Sequence, residues 1–557
     1  MREGTISIRA IAVGAVFGIL FAGAAMYAGQ KAGYIDGGNI PAALLAFGAL
    51  SVVLRRRPSV DDGNIVQTVS SSAAVMAITG GLTGPVAAMS IDAAGGASMP
   101  SYVLIIAWGI AVGVVGTLMA IPLRTAFVLR GRLPFPSGMA TAEVLEDIYR
   151  REGSATSRLR MLAIGGVLAF ALAFVRSRLH WIPEMYVLPV VIGGIGAEAI
   201  ALGVGWSPLL VGVGYLAGAR TAIALVIGAV IAWLVIAPQL VSAGIAQPDY
   251  MSLLQWLLFA GTGLMLGGAA VSVVAAIRDL RVSLREVSAA GGLAMTRTHV
   301  LGLVAGSIGV VAFGTLVFDV NPMFPLFGLV LSAVLCAASV HAMGETDNTP
   351  AGPLGGFAQL VIGATAPGGV TSPLSGGGVV NSAVMHASMM VQNWKTGERV
   401  GTSPNTQLVA QLVGVAVGAV TCAGVYALLE AAYGIGTEAM PAPAAVSWKA
   451  TATIASSGIS AMPDYAIHGA AIAFVVGSVL SLKPIAKYAP SPVAMGMAFI
   501  LPPYMSFTMA IGGLLYWVAA RRSKKIADEE GVSLASGMIG GEALAGLLIA
   551  VLLLWAR

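Results

Sequence analysis

The sequence predicts an all-α polytopic membrane protein of about 14–16 transmembrane helices, some re-entrant or broken, in two pseudo-symmetric halves. Three observations carry that expectation. Hydrophobic residues fill 57% of 557 positions and charged residues 10%, less than half the roughly 25% of soluble domains. Glycine and proline interrupt several apolar runs. Two short segments 284 residues apart resemble each other.

The composition fixes the solvent. A spanning helix needs about 20 mostly apolar residues, and 57% of 557 is about 317, enough for that many spans. Seventy-two glycines imply close helix contacts, since lipid supplies no hydrophobic drive between helices and small residues let backbones approach. The first apolar run, from about residue 10, is read as a span and not as a signal peptide: it is long, Glu3 precedes it, and many spans follow.

Basic clusters at 55–57, 124–132, 150–160, 278–297 and 521–525 lie between apolar runs and are expected on the cytoplasmic side of an inner membrane, with the N-terminus beside them. The net charge of +5 then reflects loops facing anionic headgroups; no nucleic-acid-binding module is visible. Cys336 and Cys422 sit inside apolar runs, too few for a disulfide framework or a thiolate metal site. Neither a cofactor nor a bound metal is expected.

The broken runs are residues 205–218, 349–369, 402–411 and 488–504, and the segment 133–153 is expected to dip into the bilayer or lie at its surface. Irregular backbone survives at membrane depth only where protein or a wet cavity surrounds it, so these segments point to a substrate path. "SPLLVGVGY" from Ser207 and "SPVAMGMAF" from Ser491 share Ser-Pro and a glycine five residues on, and the same offset sets Asn64 opposite Asn348. Together they predict a duplication with halves 1–285 and 286–557. The halves meet in the basic stretch 278–297, the longest candidate for a cytoplasmic amphipathic helix.

Three function classes are weighed: secondary transporter, intramembrane enzyme and membrane scaffold. A phosphate-cradling Gly-rich loop and a nucleotide domain are absent from the sequence, so transport would run on an ion gradient. Zinc-helix and nucleophile-elbow motifs are also absent, and Ser456–Ser460 with His468 reads as a Ser/Gly loop more readily than as a catalytic pair. Polar residues inside apolar runs carry the transporter reading, because a charge in lipid is costly unless paired or used. They are Lys31, Asn39, Asn64, Gln67, Ser137, Glu143, Glu198, Glu345, Asp347, Asn348, His386, Lys395 and Glu542. Glu198, twelve residues into an apolar run from Tyr186, is expected deep in the bilayer as a proton carrier. Asn64, Gly138 and Asn348 are expected at the N-termini of broken helices, where unpaired N–H groups would receive cargo carboxylates. Lys31 and Lys395 would add positive charge. Glu345, Asp347 and Glu198 would bind the cargo amine or carry the proton. Bland alternatives stay open: Glu146 beside Arg150 as helix neutralisation, Glu542 as an interfacial charge, and His386 as a satisfied polar residue in a helix contact.

"YAGQKAGYIDGGNIPAALLAFG", "DDGNIVQTVSSSAAVMAITGGL", "LPFPSGMATAEVL", "GETDNTPAGPLGGFAQLVIGA", "NWKTGERVGTSPNTQLVAQLVG" and "SGMIGGEALAGLLIAVL" follow in this order over residues 27–552. Together they resemble the oligopeptide transporter (OPT) family, more its bacterial members than its fungal or yellow-stripe-like plant branches. The resemblance implies about 16 spans from a duplicated eight-span half. It also implies ion-coupled symport, usually with protons, of oligopeptides or of metal chelated by peptide-like ligands. The expected partners are therefore a small peptide or chelate, a coupling ion and the lipid bilayer, with a homodimer as an open option. Two departures from the family pattern bear on cargo charge: Asn393 and Trp394 stand where an acidic residue is expected before Lys-Thr-Gly, and Asn405 replaces an expected arginine.

Overall fold

The computed structural model describes residues 7–33, 39–54, 58–93, 100–130, 133–150, 154–289, 295–347, 349–365, 369–457 and 463–556. The described chain is almost wholly helical, as the composition predicts. It folds into two compact units. The first comprises Met1–Met26, Ile35–Leu159 and Val273–Ala427; the second comprises Tyr27–Tyr34, Arg160–Ser272 and Leu428–Arg557. Each unit draws on both sequence halves, so neither coincides with 1–285 or 286–557.

In the first unit the helix Thr371–Val400 is buried along most of its length, against Met323–Thr346, Ala351–Thr365, Tyr102–Met119, Pro136–Arg150 and Val60–Thr79. Its small residues explain why. A Cβ at Gly116 would meet the Ala383 carbonyl at 2.7 Å, so the helices pack backbone to backbone there. Phe127, Phe135, Leu354, Val380 and Val384 fill the apolar core around it. The helix Val60–Thr79 starts with a capping box in which Ser59 accepts from the Asp62 N–H and Asp62 accepts from the Ser59 N–H. Asn64 therefore lies one turn inside the helix and not at its start, contrary to the sequence expectation.

In the second unit the helices Pro208–Ala229, Pro503–Arg522 and Val532–Trp555 pack together. Two glycines make the contact: a Cβ on Gly214 would run into the Met509 carbonyl, and one on Gly512 into the Val211 carbonyl. Gly218, at φ +77°, kinks the first of these helices inside the run 205–218. The run 488–504 also breaks as expected, into Pro492–Ile500 and Pro503–Arg522, with Pro502 between. The run 349–369 contains the helix Ala351–Thr365, which starts anew after Met323–Thr346, and its residues 366–368 lie outside the described residues. Residues 402–411 open the continuous helix Pro404–Tyr433, and 133–153 contain Pro136–Arg150. The basic stretch from 278 continues the helix Tyr250–Ala289 instead of forming a separate one.

Nine described helices are long and apolar enough to cross a membrane. Among the further helices of ample length, Val60–Thr79 and Thr371–Val400 fall short in apolarity because their interiors carry Asn64, Gln67, Asn381, His386 and Asn393. These polar side chains are buried in protein, where the bilayer's solvation penalty is replaced by neighbouring groups.

The clearest departure from helix is the apolar run around Glu198. Val191–Ile192 pairs with Ile195–Gly196 through Gly193 and Gly194, at φ +55° and +85°, and Met185–Val187 pairs with Gly203–Gly205. Two consecutive left-handed glycines between β-branched pairs make a tight hairpin turn. Glu198 sits in a 3-10 turn beyond it and is exposed, so it is not the membrane-buried carboxyl that hydropathy predicts.

Candidate functional site

A cavity of about 430 Å³ in the second unit is lined by most of that unit's buried charge. Arg176, in the last turn of Ser154–Ser177, and Glu542, midway along Val532–Trp555, are 2% and 0% exposed and pair at 2.9 Å. Glu542 is held further. Ser207, the N-cap of Pro208–Ala229, donates its hydroxyl to the carboxylate at 2.9 Å, and the Leu209 N–H donates at 2.8 Å. Two donors at a helix N-terminus and a guanidinium hold this side chain in place. Glu542 is therefore an anchor inside the unit and not an interfacial charge.

Arg176 reaches four ways, one of them to the Ser177 hydroxyl at 3.1 Å. Besides Glu542, it donates to the Trp206 carbonyl at 2.5 Å and pairs with Glu184 at 3.3 Å. Glu184 also accepts from the Ser177 hydroxyl at 2.9 Å. Burial pushes the Glu184 carboxyl up, but Arg176, Lys31 and Ser177 together outweigh it and hold it below the usual carboxylate range. Unlike Arg176, Glu184 is half exposed.

Lys31, in the last turn of Ile8–Ala32, is buried on the cavity wall. Its ammonium donates to the Ala439 carbonyl at 3.0 Å and, among the described residues, makes no ion pair within 4 Å. Two of its three N–H donors stay available. Glu438 and Tyr27, Tyr433 and Tyr504 complete the lining. The site thus offers one uncommitted cation, carboxylates of differing freedom and aromatic walls, which suits a zwitterionic or chelating molecule of a few residues' size.

The first unit carries a second group of expected residues. Gln67 Nε2 donates to Asn39 Oδ1 at 2.8 Å and to Asn393 Oδ1 at 3.2 Å. Asp347 holds Ser137 twice, through its backbone N–H at 2.9 Å and its hydroxyl. Asp347 itself is the left-handed C-cap of Met323–Thr346, at φ +63°. It closes the helix before it and caps Pro136–Arg150. His386 is fully buried with neither ring nitrogen bonded, and Asn64 is fully buried with neither amide atom bonded.

The family model described as OPT oligopeptide transporter protein matches residues 5–553. The chain belongs to the OPT family. Among curated relatives, the probable metal-nicotianamine transporter YSL11 of Oryza sativa subsp. japonica is 25% identical, the match covering 98% of this chain and 87% of the relative. The probable metal-nicotianamine transporter YSL5 of Arabidopsis thaliana is 24% identical, with 98% and 87% covered. YSL12 of the same rice, of the same description, is 24% identical over 97% and 85%. These relatives are plant proteins, and they lend no support to a bacterial branch. As a member of the OPT family the chain is a membrane transporter and not an enzyme.

Within this OPT protein the expected site residues part company. Lys31 and Glu542 share the charged cavity; Asn39 pairs with Gln67, and Ser137 with Asp347. Lys395 is spent locally on Glu398 at 2.9 Å, and Glu345 lies 4.0 Å from His341 on an exposed surface. Glu143 and Glu198 are exposed. Asn348 lies outside the described residues. Sequence reasoning missed Arg176 and Glu184. Arg176 stands among Arg178, His180 and other polar residues, so it reads as the edge of a loop, and its partner lies 366 residues away.

Proposed function

We propose that this chain is a proton-coupled symporter that imports a small carboxylate-bearing cargo, either a peptide or a metal chelate, through the charged cavity. The ammonium of Lys31 carries the reading: it is buried on the cavity wall and, among the described residues, makes no ion pair within 4 Å, so a cargo carboxylate would give it a direct partner. The plant relatives, probable metal-nicotianamine transporters, favour a metal chelate over a plain peptide as cargo. The setting we propose is an inner membrane with the N-terminus in the cytoplasm. The duplication is supported by Ser207 and Ser491: each is an extended N-cap whose hydroxyl accepts from the N–H three residues on, with proline at the first helical position.

Proton coupling would follow from the competition for Arg176. A cargo carboxylate that took a share of the guanidinium would leave Glu184 with its burial and less of its counter-charge, and its carboxyl would rise towards neutrality and take a proton. Cargo and proton would then bind together, because the cargo brings a carboxylate to Arg176 while the proton removes the negative charge of Glu184, leaving the charge around the guanidinium unchanged. The linkage has a definite sign. The Glu184–Arg176 pair holds above the ordinary carboxyl pKa, and its contribution fades as pH falls through the lowered value.

Glu184→Gln is expected to abolish accumulation driven by a proton gradient in proteoliposomes while leaving exchange of external for internal cargo. Gradient-driven uptake at the wild-type level in that variant would remove Glu184 from the coupling.

A further inference from the structure

The interior of the first unit contains an amide chain whose direction is fixed by its far end. Gln411 Nε2 donates to the His386 backbone carbonyl at 3.2 Å, and a carbonyl can only accept. Gln411 Oε1 must therefore face the other way, where it receives Asn393 Nδ2 at 3.0 Å. Asn393 Oδ1 in turn receives Gln67 Nε2 at 3.2 Å. Every amide is set head to tail, and the chain ends on Gln67 Oε1, fully buried and without a hydrogen-bond partner. Aligned amides polarise one another, so the negative end of the row is concentrated on that oxygen.

Gln67 Oε1 has company. Asn64 stands three residues before Gln67 and four before Thr68 on the helix Val60–Thr79, so it neighbours both on the helix surface. Asn64 Oδ1 and Thr68 Oγ1 are also fully buried and unpartnered. Thr68 is conspicuous in this helix. Ser70 and Thr79 turn their hydroxyls back to the carbonyl four residues earlier, whereas Thr68 does not.

We propose that this cluster binds a monovalent cation of sodium's class, with Gln67 Oε1, Asn64 Oδ1 and Thr68 Oγ1 among its ligands. Three orphaned neutral oxygens can replace the hydration shell of a singly charged ion, as rings of carbonyls do in channels. The donor set contains no carboxylate or thiolate, which argues against calcium, magnesium and transition metals. Cargo is excluded by the setting: the three side chains are sealed from solvent, and they belong to the first unit, whereas the residues proposed to hold cargo belong to the second. The inference stands whether or not transport is proton-coupled.

The test is thermal unfolding of the purified full-length protein in sodium chloride against N-methylglucamine chloride at equal ionic strength. A saturable rise in Tm with sodium alone is expected, because an ion that binds the folded state stabilises it by mass action. Thr68→Val removes one ligand but no hydrogen bond, so without sodium it should melt at or above the wild type. Its apparent sodium affinity should fall about tenfold, the loss of roughly one ligand's interaction. Equal behaviour in the two salts would mean that buried water alone satisfies these oxygens and would overturn the proposal. So would a Thr68→Val variant with the wild-type sodium response.

Discussion

Arg176→Leu is expected to be the most damaging single replacement of a side chain in the second unit. It leaves the Glu542 carboxylate at 0% exposure with Ser207 and Leu209 as donors but no cation. Breaking a buried pair by removing one partner costs about 3–5 kcal/mol, a large share of a protein's net stability. The variant should be recovered from membranes in low yield and melt well below the wild type. Replacing both partners, Arg176→Leu with Glu542→Leu, removes the stranded charge and should restore most of the lost Tm, since apolar substitutes for an ion pair are often neutral. Transport should stay absent in the double variant, because Glu184 has lost its partner. A double-mutant cycle of melting temperatures checks the first part, and uptake checks the second.

Gly214→Val is expected to prevent folding by a different route. A side chain there would occupy the place of the Met509 backbone carbonyl, and Gly512 meets Val211 in the same contact from the other helix. Overpacking a flexible core costs about 1–3 kcal/mol, and here the obstacle is backbone, which cannot move to another rotamer. The helices Pro208–Ala229 and Pro503–Arg522 would have to separate, leaving gaps that lipid-facing helices have no hydrophobic drive to close. Gly540→Ala is the control. That glycine lies in the same unit with nothing within 4 Å of a new Cβ, and the change should be neutral or stabilising by up to about 1 kcal/mol. Size-exclusion profiles of detergent extracts separate the outcomes.

The fold class was legible because the bilayer imposes it: a chain this apolar has to satisfy its backbone inside helices. The break at Pro502 and the kink near Gly218 were legible too, since proline and glycine act locally. Glu198 was misplaced because hydropathy does not distinguish a buried helix from a short hairpin. The distinguishing signal was present in Gly193-Gly194 between Val191-Ile192 and Ile195. The helix carrying Asn64 starts one turn earlier, at the Ser59–Asp62 capping box, whose Ser-x-x-Asp spacing is a local signal in the sequence.

The site was half legible. A lysine and a glutamate inside apolar runs announce themselves by cost alone, and Lys31 and Glu542 do share a cavity. Arg176 and Glu184 carry no such signal, because both stand in a polar stretch that reads as a loop. What turns them into a site is an ion pair closed across 366 residues, which no local pattern encodes. The uncommitted state of Lys31 was equally invisible, being a property of what surrounds it.

Lys31→Met offers the most direct test of the proposed cargo site, with uptake of a labelled metal–nicotianamine complex and of a labelled dipeptide measured in proteoliposomes. Methionine keeps the length and apolar stem of lysine and removes the charge, so the melting temperature should change little. The prediction is proton-driven uptake of at least one cargo by the wild type and an apparent KM raised about tenfold or more in the variant, the loss of one charged contact. Wild-type uptake kinetics in a folded Lys31→Met protein would contradict the assignment of the charged cavity as the place where cargo binds.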